Sequence, residues 1–235
     1  MKTTVVALIV LATSSAIAGH HCVEESEVVG YQRCSRFGVG WTGRTLGWEL
    51  GATMLRVPID PIDRDVEVMR NGATSSYRVV TPPSLGAATG LRLRNLYGLT
   101  DHFYLATELT LGHLTAMPSL GIEPVVRDTM PVDDTTTGWL FGGMLAAGVR
   151  SSAGIVALGG ELAFGPRAVV FSNSSLPGVL FGQGGPALEA RAHASVWLSM
   201  HWTIGAMAAT SVFDRHDVSM TLTLGLHAFP FDGGR

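Results

Sequence analysis

Charges threaded at period two through apolar strands constrain this chain more than any other feature of it. In "LRLRNLYGLTDHFYLATELTLG", residues 91–112, Arg92 and Arg94 lie between Leu91, Leu93 and Leu96, and Glu108 lies between Thr107 and Leu109. A tight Gly/Thr/Asp turn divides the two runs, so the stretch reads as a hairpin. Successive side chains of a strand point to opposite faces. One face of this hairpin is therefore apolar, the other carries the charges, and the face that meets water decides the fold.

The alternation recurs in eight segments, near 45–57, 87–97, 103–112, 138–150, 154–165, 187–199, 201–211 and 217–229. Each has about the 9–11 residues, or slightly more, that a tilted strand needs to cross a bilayer. The connections between them are long at 58–86, short at 98–102, long at 113–137, short at 151–153, long at 166–186, short near 200 and modest at 212–216. An even strand number with short turns at one end and longer loops at the other marks a transmembrane β-barrel.

Parity settles the hairpin's question. One face carries Trp48, Leu50, Met54, Leu91, Leu93, Leu105, Leu109, Phe141, Leu145, Leu158, Leu162, Leu188, Val196, Ile204, Leu222 and Leu224, with no charge on any of the eight segments. The opposite face carries Glu49, Arg92, Arg94, Glu108, Arg150, Glu161, Glu189 and Arg191 among Gly, Ala, Ser, Thr and His. In a soluble barrel the large side chains would crowd one narrow lumen, and the exposed face would be mostly small residues, a poor solvent coat. The apolar face is therefore expected against lipid, with the charges inside. Four Arg against four Glu leave the lumen nearly neutral, which implies a packed ionic core in preference to a proton or ion path. With the first turn centred on residue 100, Arg92 is expected across from Glu108.

The ends and the composition agree with export. "MKTTVVALIVLATSSAIAGHH" has one Lys, an apolar stretch from Val5 to Ala12 and small residues ending at Ala18, the pattern of a signal peptide cleaved after Ala18. An uncleaved anchor is the alternative. Lys2 is the chain's only lysine, and charged residues are 15% of the chain, against about 25% in typical soluble domains. Losing Lys2 takes the formal charge from -3 to -4, so no basic footprint for nucleic acid exists. Cys22 and Cys34 are the only cysteines. A disulfide between them would close a short loop in an oxidising compartment, and two free thiols are the alternative.

Aromatic residues fall where the girdles of a membrane barrel would put them: Trp48, Tyr97, Phe103, Tyr104, Trp197 and Trp202 toward the short turns, and Trp139, Phe164 and Phe213 toward the long connections. With its signal peptide, alternating strands and "YGLTDHFYL" turn, residues 45–229 resemble the small eight-stranded outer-membrane β-barrels of Gram-negative bacteria, the OmpA/OmpX-like architecture. The resemblance implies outer-membrane lipid and lipopolysaccharide around the barrel, and the barrel-assembly machinery as a partner. It also implies residues 19–44 in the periplasm and long loops outside the cell. Such barrels usually end on an aromatic residue; here Phe229 is followed by the tail 230–235 and has inward parity.

Other candidate chemistry weighs less. His193 and Ser195, with Glu189 on the same face, resemble the His/Ser/acid sets of nucleophilic hydrolysis and a lipid A hydrolase, but a lipid-cleaving site must open toward lipid. A mature start at Gly19-His20-His21 could wrap Cu(II) or Ni(II). Asp60, Asp63 and Asp65 in "PIDPIDRD", and Asp133-Asp134, read as solvated acidic loops sooner than as a calcium site. Gly182-Gln183-Gly184-Gly185 lacks the strand-to-helix context of a phosphate loop. The expected protein is not an enzyme, needs no cofactor, and has a structural or surface-interaction role toward an extracellular or periplasmic partner. A narrow solute channel is the second reading, a hydrolase the third and a soluble lipocalin-like carrier the fourth.

Overall fold

The computed structural model describes residues 46–70, 72–100, 102–116, 120–124, 136–153, 155–198 and 202–228. The signal segment, residues 19–44 with Gly19, His20, His21, Cys22 and Cys34, Asp133-Asp134, Phe229 and the tail lie outside them. Eleven strands run in chain order among the described residues: β1 (Leu46–Ile59), β2 (Ile62–Arg70), β3 (Ala73–Thr81), β4 (Ser84–Gly98), β5 (Phe103–Ala116), β6 (Gly121–Pro124), β7 (Thr136–Ala153), β8 (Val156–Asn173), β9 (Phe181–Trp197), β10 (Trp202–Ser211) and β11 (Val218–Ala228). Eight of them close into an antiparallel barrel in the order β1-β11-β10-β9-β8-β7-β5-β4. Closure matters because, in lipid, every backbone N–H and C=O must find a partner within the protein.

The apolar face is the outer one. Along β1, Leu50 is 53% and Met54 68% exposed, whereas Thr53 between them is 2% exposed. Leu222 on β11 is 69% exposed and its neighbour Thr221 is 2%. A belt of Leu, Met, Phe and Trp this large, facing outward around eight strands, suits hydrocarbon and not water.

The strands outrun the sequence reading. β7 and β8 have 18 residues each, about 59 Å of strand at about 3.3 Å per residue. Above the lipid-facing band the alternation continues with its sign reversed: Leu55, Val57, Ile59, Leu114, Leu140, Val169, Phe171 and Phe181 point inward. The connection 166–186 therefore shrinks to residues 174–180 between β8 and β9. The connection 58–86 is no loop either. It folds as the β2–β3 hairpin, turning at Gly72 with φ 83°, where the Asn-Gly sequence suits the positive φ that tight hairpin turns demand. The connection 113–137 adds β6, giving a second sheet in the order β2-β3-β6.

This small sheet is a lid. Val66, Val68, Tyr77 and Val79 of the hairpin, with Leu120, pack into one buried cluster with the inward apolar residues of the barrel top. Two side chains strap it down. The Arg64 guanidinium lies 4.5 Å from the centroid of the Phe181 ring, and its Nη2 donates to the Leu180 carbonyl at 3.0 Å. Gln183 Nε2 donates to the Pro58 carbonyl at 2.7 Å, and its Oε1 accepts from the Asp60 N–H at 2.8 Å.

On the lid's outer face Arg78 holds Asp63 through Nε and Nη2 at 2.9 and 3.0 Å. The hydrogen bond from Arg78 lowers the Asp63 carboxyl below its usual range. A depressed carboxyl pKa means the pair supports the folded hairpin at neutral pH, and that support fades as acid protonates Asp63, below about pH 4. Amide exchange in β2 and β3 is expected to accelerate there relative to the barrel strands. Arg78→Ala is expected to remove that acid-induced difference.

The girdle needs two corrections. Trp48, Tyr97, Phe103 and Trp202 face outward near the short turns, as do Trp139 and Phe213 toward the other end. Tyr104 and Trp197 point into the lumen, 2% and 4% exposed, because they share parity with Glu108 and Glu189. Phe164 faces outward but sits midway along β8.

Candidate functional site

The lumen holds a layer of buried charge. Arg94 is its hub at one side: Nη1 reaches Glu49 Oε2 at 2.7 Å, Nη2 reaches Glu161 Oε2 at 2.5 Å, and Nε lies 3.4 Å from Glu108 Oε2. Arg191 is the hub at the other. Its Nη1 donates to Glu108 Oε2 at 2.7 Å and Glu161 Oε1 at 2.9 Å, and its Nη2 to Glu108 Oε1 at 2.9 Å. Arg191 Nε donates to Glu189 Oε2 at 2.7 Å. The planar fork of guanidinium N–H groups lets one cation serve three carboxylates, which an ammonium could not do in fixed directions.

Strand register builds this layer. Arg94 sits directly opposite Glu49 of β1 and Glu108 of β5, and Glu161 sits opposite Arg191. Arg92 is opposite Thr110, so the expected Arg92–Glu108 register is off by one pleat. The pairing places the turn one residue later than its composition suggests. Arg92 still reaches Glu108, its Nε lying 3.3 Å from Oε1 on the diagonal.

Two members of the layer are absent from the charges expected on the inward face. Arg167 pairs with Glu189, and its Nη1 lies 2.5 Å from Asp217 Oδ2. Arg167 lies past residue 165, where the outward apolar pattern fades; its parity with Glu161 was the available signal. Asp217 opens the last segment, and its parity with Ser219 and Thr221 pointed inward. Arg150 lies nearer the short turns, where Nη2 donates to the Thr100 carbonyl at 3.3 Å and the guanidinium stands 5.6 Å from the Tyr104 ring centroid. With these additions the described lumen residues include five arginines (92, 94, 150, 167, 191) and five carboxylates (Glu49, Glu108, Glu161, Glu189, Asp217).

Two residues of the hydrolase reading, His193 and Glu189, are held by other partners. The Tyr104 hydroxyl donates to Glu161 Oε2 at 2.7 Å and lies 2.8 Å from His193 Nε2. With that hydroxyl proton given to Glu161, Nε2 is the ring nitrogen that carries hydrogen and donates to Tyr104. Glu189 is held by Arg167 and Arg191. Ser195 pairs with Gly205 and Ala157 in the wall. Asp60, Asp63 and Asp65 lie at the edge of the lid and on β2, and among the described residues no group of three or more His, Cys, Asp or Glu side chains could hold a metal ion. Gly182, Gln183, Gly184 and Gly185 lie within β9.

The lumen is closed above and below this layer. Toward the short turns the Trp197 and His227 rings stand 4.8 Å apart, and His227 Nε2 lies 2.8 Å from Thr203 Oγ1. Toward the other end the apolar cluster and lid fill the bore. Arg94, Glu108, Glu161 and Arg191 expose at most 2% of their side chains, so the charged layer has little room for a hydrated path.

No protein-family model matches this chain, and no curated protein matches it. Among solved structures, OprG, an outer membrane protein from Pseudomonas aeruginosa, matches with a TM-score of 0.51 at 12% identity, over 80% of this chain and 98% of its own. Ail, the attachment invasion locus protein of Yersinia pestis, crystallised with the heparin analogue sucrose octasulfate, gives 0.48 at 16% identity over 80% of this chain and 100% of its own. Neisserial surface protein A gives 0.45 at 11% identity over 78% of this chain and 96% of its own. The likeness to OprG is one of fold. Closed order, antiparallel pairing and outward apolar belt together define the class: a small eight-stranded barrel of the outer-membrane type, embedded in a membrane through its strands.

Proposed function

We propose that this protein is a non-conducting, non-enzymatic anchor of the cell outer membrane with a structural or surface-interaction role, presenting the β2-β3-β6 lid outside the cell. The observation that carries the reading is the packed lumen: an ionic layer between the Trp197–His227 contact and the apolar cap. A buried network of this kind gives a barrel rigidity and register, and leaves no bore for solute. Lipid and lipopolysaccharide cover the outward belt, and the barrel-assembly machinery inserts the chain. The lid's solvent face, with Asp63, Asp65, Glu67 and Arg78 exposed, is where an extracellular partner would bind. Residues 19–44 lie in the periplasm on this reading.

Planar-bilayer recording tests it. Purified protein is expected to give no stepwise conductance in molar potassium chloride. Discrete, reproducible steps would overturn the packed-anchor reading in favour of a narrow channel.

A further inference from the structure

The outward face of the barrel, expected to be free of charge, carries one. Arg56 of β1 is exposed, two residues beyond the outward Met54. Among the described residues of the eight barrel strands it is the only Asp, Glu, Lys or Arg with outward parity. Its rung of the wall reads Leu162, Ala190, Thr210, Val218 and Arg56, each paired with the next. Val218 opens β11 directly after the turn 212–217, and β10 and β11 have only 10 and 11 residues. A strand of about ten residues at about 3.3 Å rise, once tilted, just covers an apolar band about 25 Å tall. Arg56 and the turn therefore stand where hydrocarbon gives way to lipid headgroups, on the lid side of the membrane.

The turn adds cations to this level. Ser211 Oγ accepts from the N–H groups of Phe213 and Asp214 at 3.2 and 3.3 Å, and Asp214 Oδ1 accepts from the His216 N–H at 2.8 Å. These bonds fix a turn on which Phe213 is 71% exposed and Arg215 and His216 are exposed. Of its two carboxylates, Asp214 caps the turn itself and Asp217 pairs with Arg167 in the lumen. Among the described residues no carboxylate forms an ion pair with Arg56 or Arg215. Arg215 is three residues from Val218, the partner of Arg56, so the two arginine Cα atoms lie within about 16 Å of each other. Two extended side chains at that separation can close on one phosphate. A guanidinium at the edge of the hydrocarbon reaches for the interface, and its planar fork matches phosphate oxygens.

Below Arg56 the outer wall is hollowed. The next rungs down read Gly160, Ala192, Ala208, Met220 and Met54, then Leu158, Ala194, Ala206, Leu222 and Ala52. The alanines of β9 and β10 are the floor of an apolar groove, banked by Leu158 and Leu162 on one side and by Met220 and Leu222 on the other. Facing lipid, such a groove is filled by hydrocarbon.

We propose that this face of the barrel binds a membrane lipid with an anionic phosphate headgroup. Arg56 and Arg215 hold the phosphate oxygens, Phe213 sits beside the headgroup, and an acyl chain lies in the alanine-floored groove beneath. The site rests on the reading of the protein as an outer-membrane anchor, and gives the lipid around that anchor one preferred seat. It lies wholly on the outer wall, and the packed lumen takes no part in it.

Full-length protein in phosphatidylcholine nanodiscs, given a small fraction of phosphatidic acid with a fluorescent tail and read by energy transfer from tryptophan, tests this. Saturable enrichment of the probe is expected. Unlabelled phosphatidic acid should displace it at least about tenfold better than diacylglycerol, which has the chains without the phosphate, since each arginine near an anionic headgroup contributes enough for about a fivefold preference. Inorganic phosphate, which has no chain, should not displace it. Arg56→Gln and Arg215→Gln, both at exposed positions, are each expected to fold normally and lower the enrichment about fivefold. Ala208→Phe, which fills the groove, should lower it at least about threefold through lost chain packing. Arg78→Gln, an equal loss of charge on the lid, should leave it unchanged. Failure of the protein to enter nanodiscs would overturn the outward belt and the site with it. An inserted barrel that takes diacylglycerol as well as phosphatidic acid, yields the probe to inorganic phosphate, or is indifferent to Arg56→Gln and Arg215→Gln would overturn the site alone.

Discussion

Replacing Arg191 by Met is expected to cost about 3–5 kcal/mol of barrel stability, because it leaves buried carboxylates without their shared cation. Arg191 holds Glu108, Glu161 and Glu189 at 2.7–2.9 Å and also donates to Met144 Sδ at 2.9 Å. Met fills much of the volume, so the loss isolates charge and hydrogen bonding from packing. Urea unfolding in detergent micelles, followed by tryptophan fluorescence, measures it. Arg191→Lys should fall between wild type and Met, since one ammonium cannot serve three carboxylates in fixed directions. The exposed Arg78–Asp63 pair is the control: Arg78→Ala should barely move the same transition, as expected of a surface salt bridge. A Met variant as stable as wild type would mean that the ionic layer does not hold the barrel.

Gly148→Val is expected to be nearly as damaging by the opposite route, overfilling the lumen. A Cβ at Gly148 would stand 2.4 Å from Tyr104 Cζ, and Tyr104 cannot swing away without breaking its bonds to Glu161 and His193. Overpacking costs about 1–3 kcal/mol, occasionally more, and here the lost hydrogen bonds add to it. The double variant Gly148→Val with Tyr104→Ala should recover part of the loss relative to the sum of the single changes. Strict additivity would show that the two positions do not share the space the structure gives them.

These two residues illustrate what the sequence could and could not show. Alternation around Arg92, Arg94 and Glu108 made the inward face readable, because in a strand parity alone assigns a side chain to a face. Tyr104 followed the same parity, yet its aromatic character invited a place in the girdle, where an outward Tyr is equally at home. The lid was illegible for a different reason. Its apolar residues, Val66, Val68, Tyr77 and Val79, face the inside of the barrel top, so they belong to a core like that of a soluble domain, and a search for outward apolar residues passes over them. The same reversal of sign hid the upper turns of β8 and β9, and Arg167 with them. Register was the remaining uncertainty: a turn placed one residue early moves every cross-strand partner by one pleat, and only the pairing of Arg94 with Glu108 fixes it.

The outward placement of the apolar face is tested most directly by gel mobility of the membrane fraction. Expressed in a Gram-negative host, the protein is expected in the outer-membrane fraction and, unboiled in detergent, should migrate faster than its boiled form, as a closed barrel that resists the detergent does. Recovery as a soluble periplasmic protein with one mobility would contradict that placement, turn the apolar face inward and make the molecule a carrier with an interior ligand cavity.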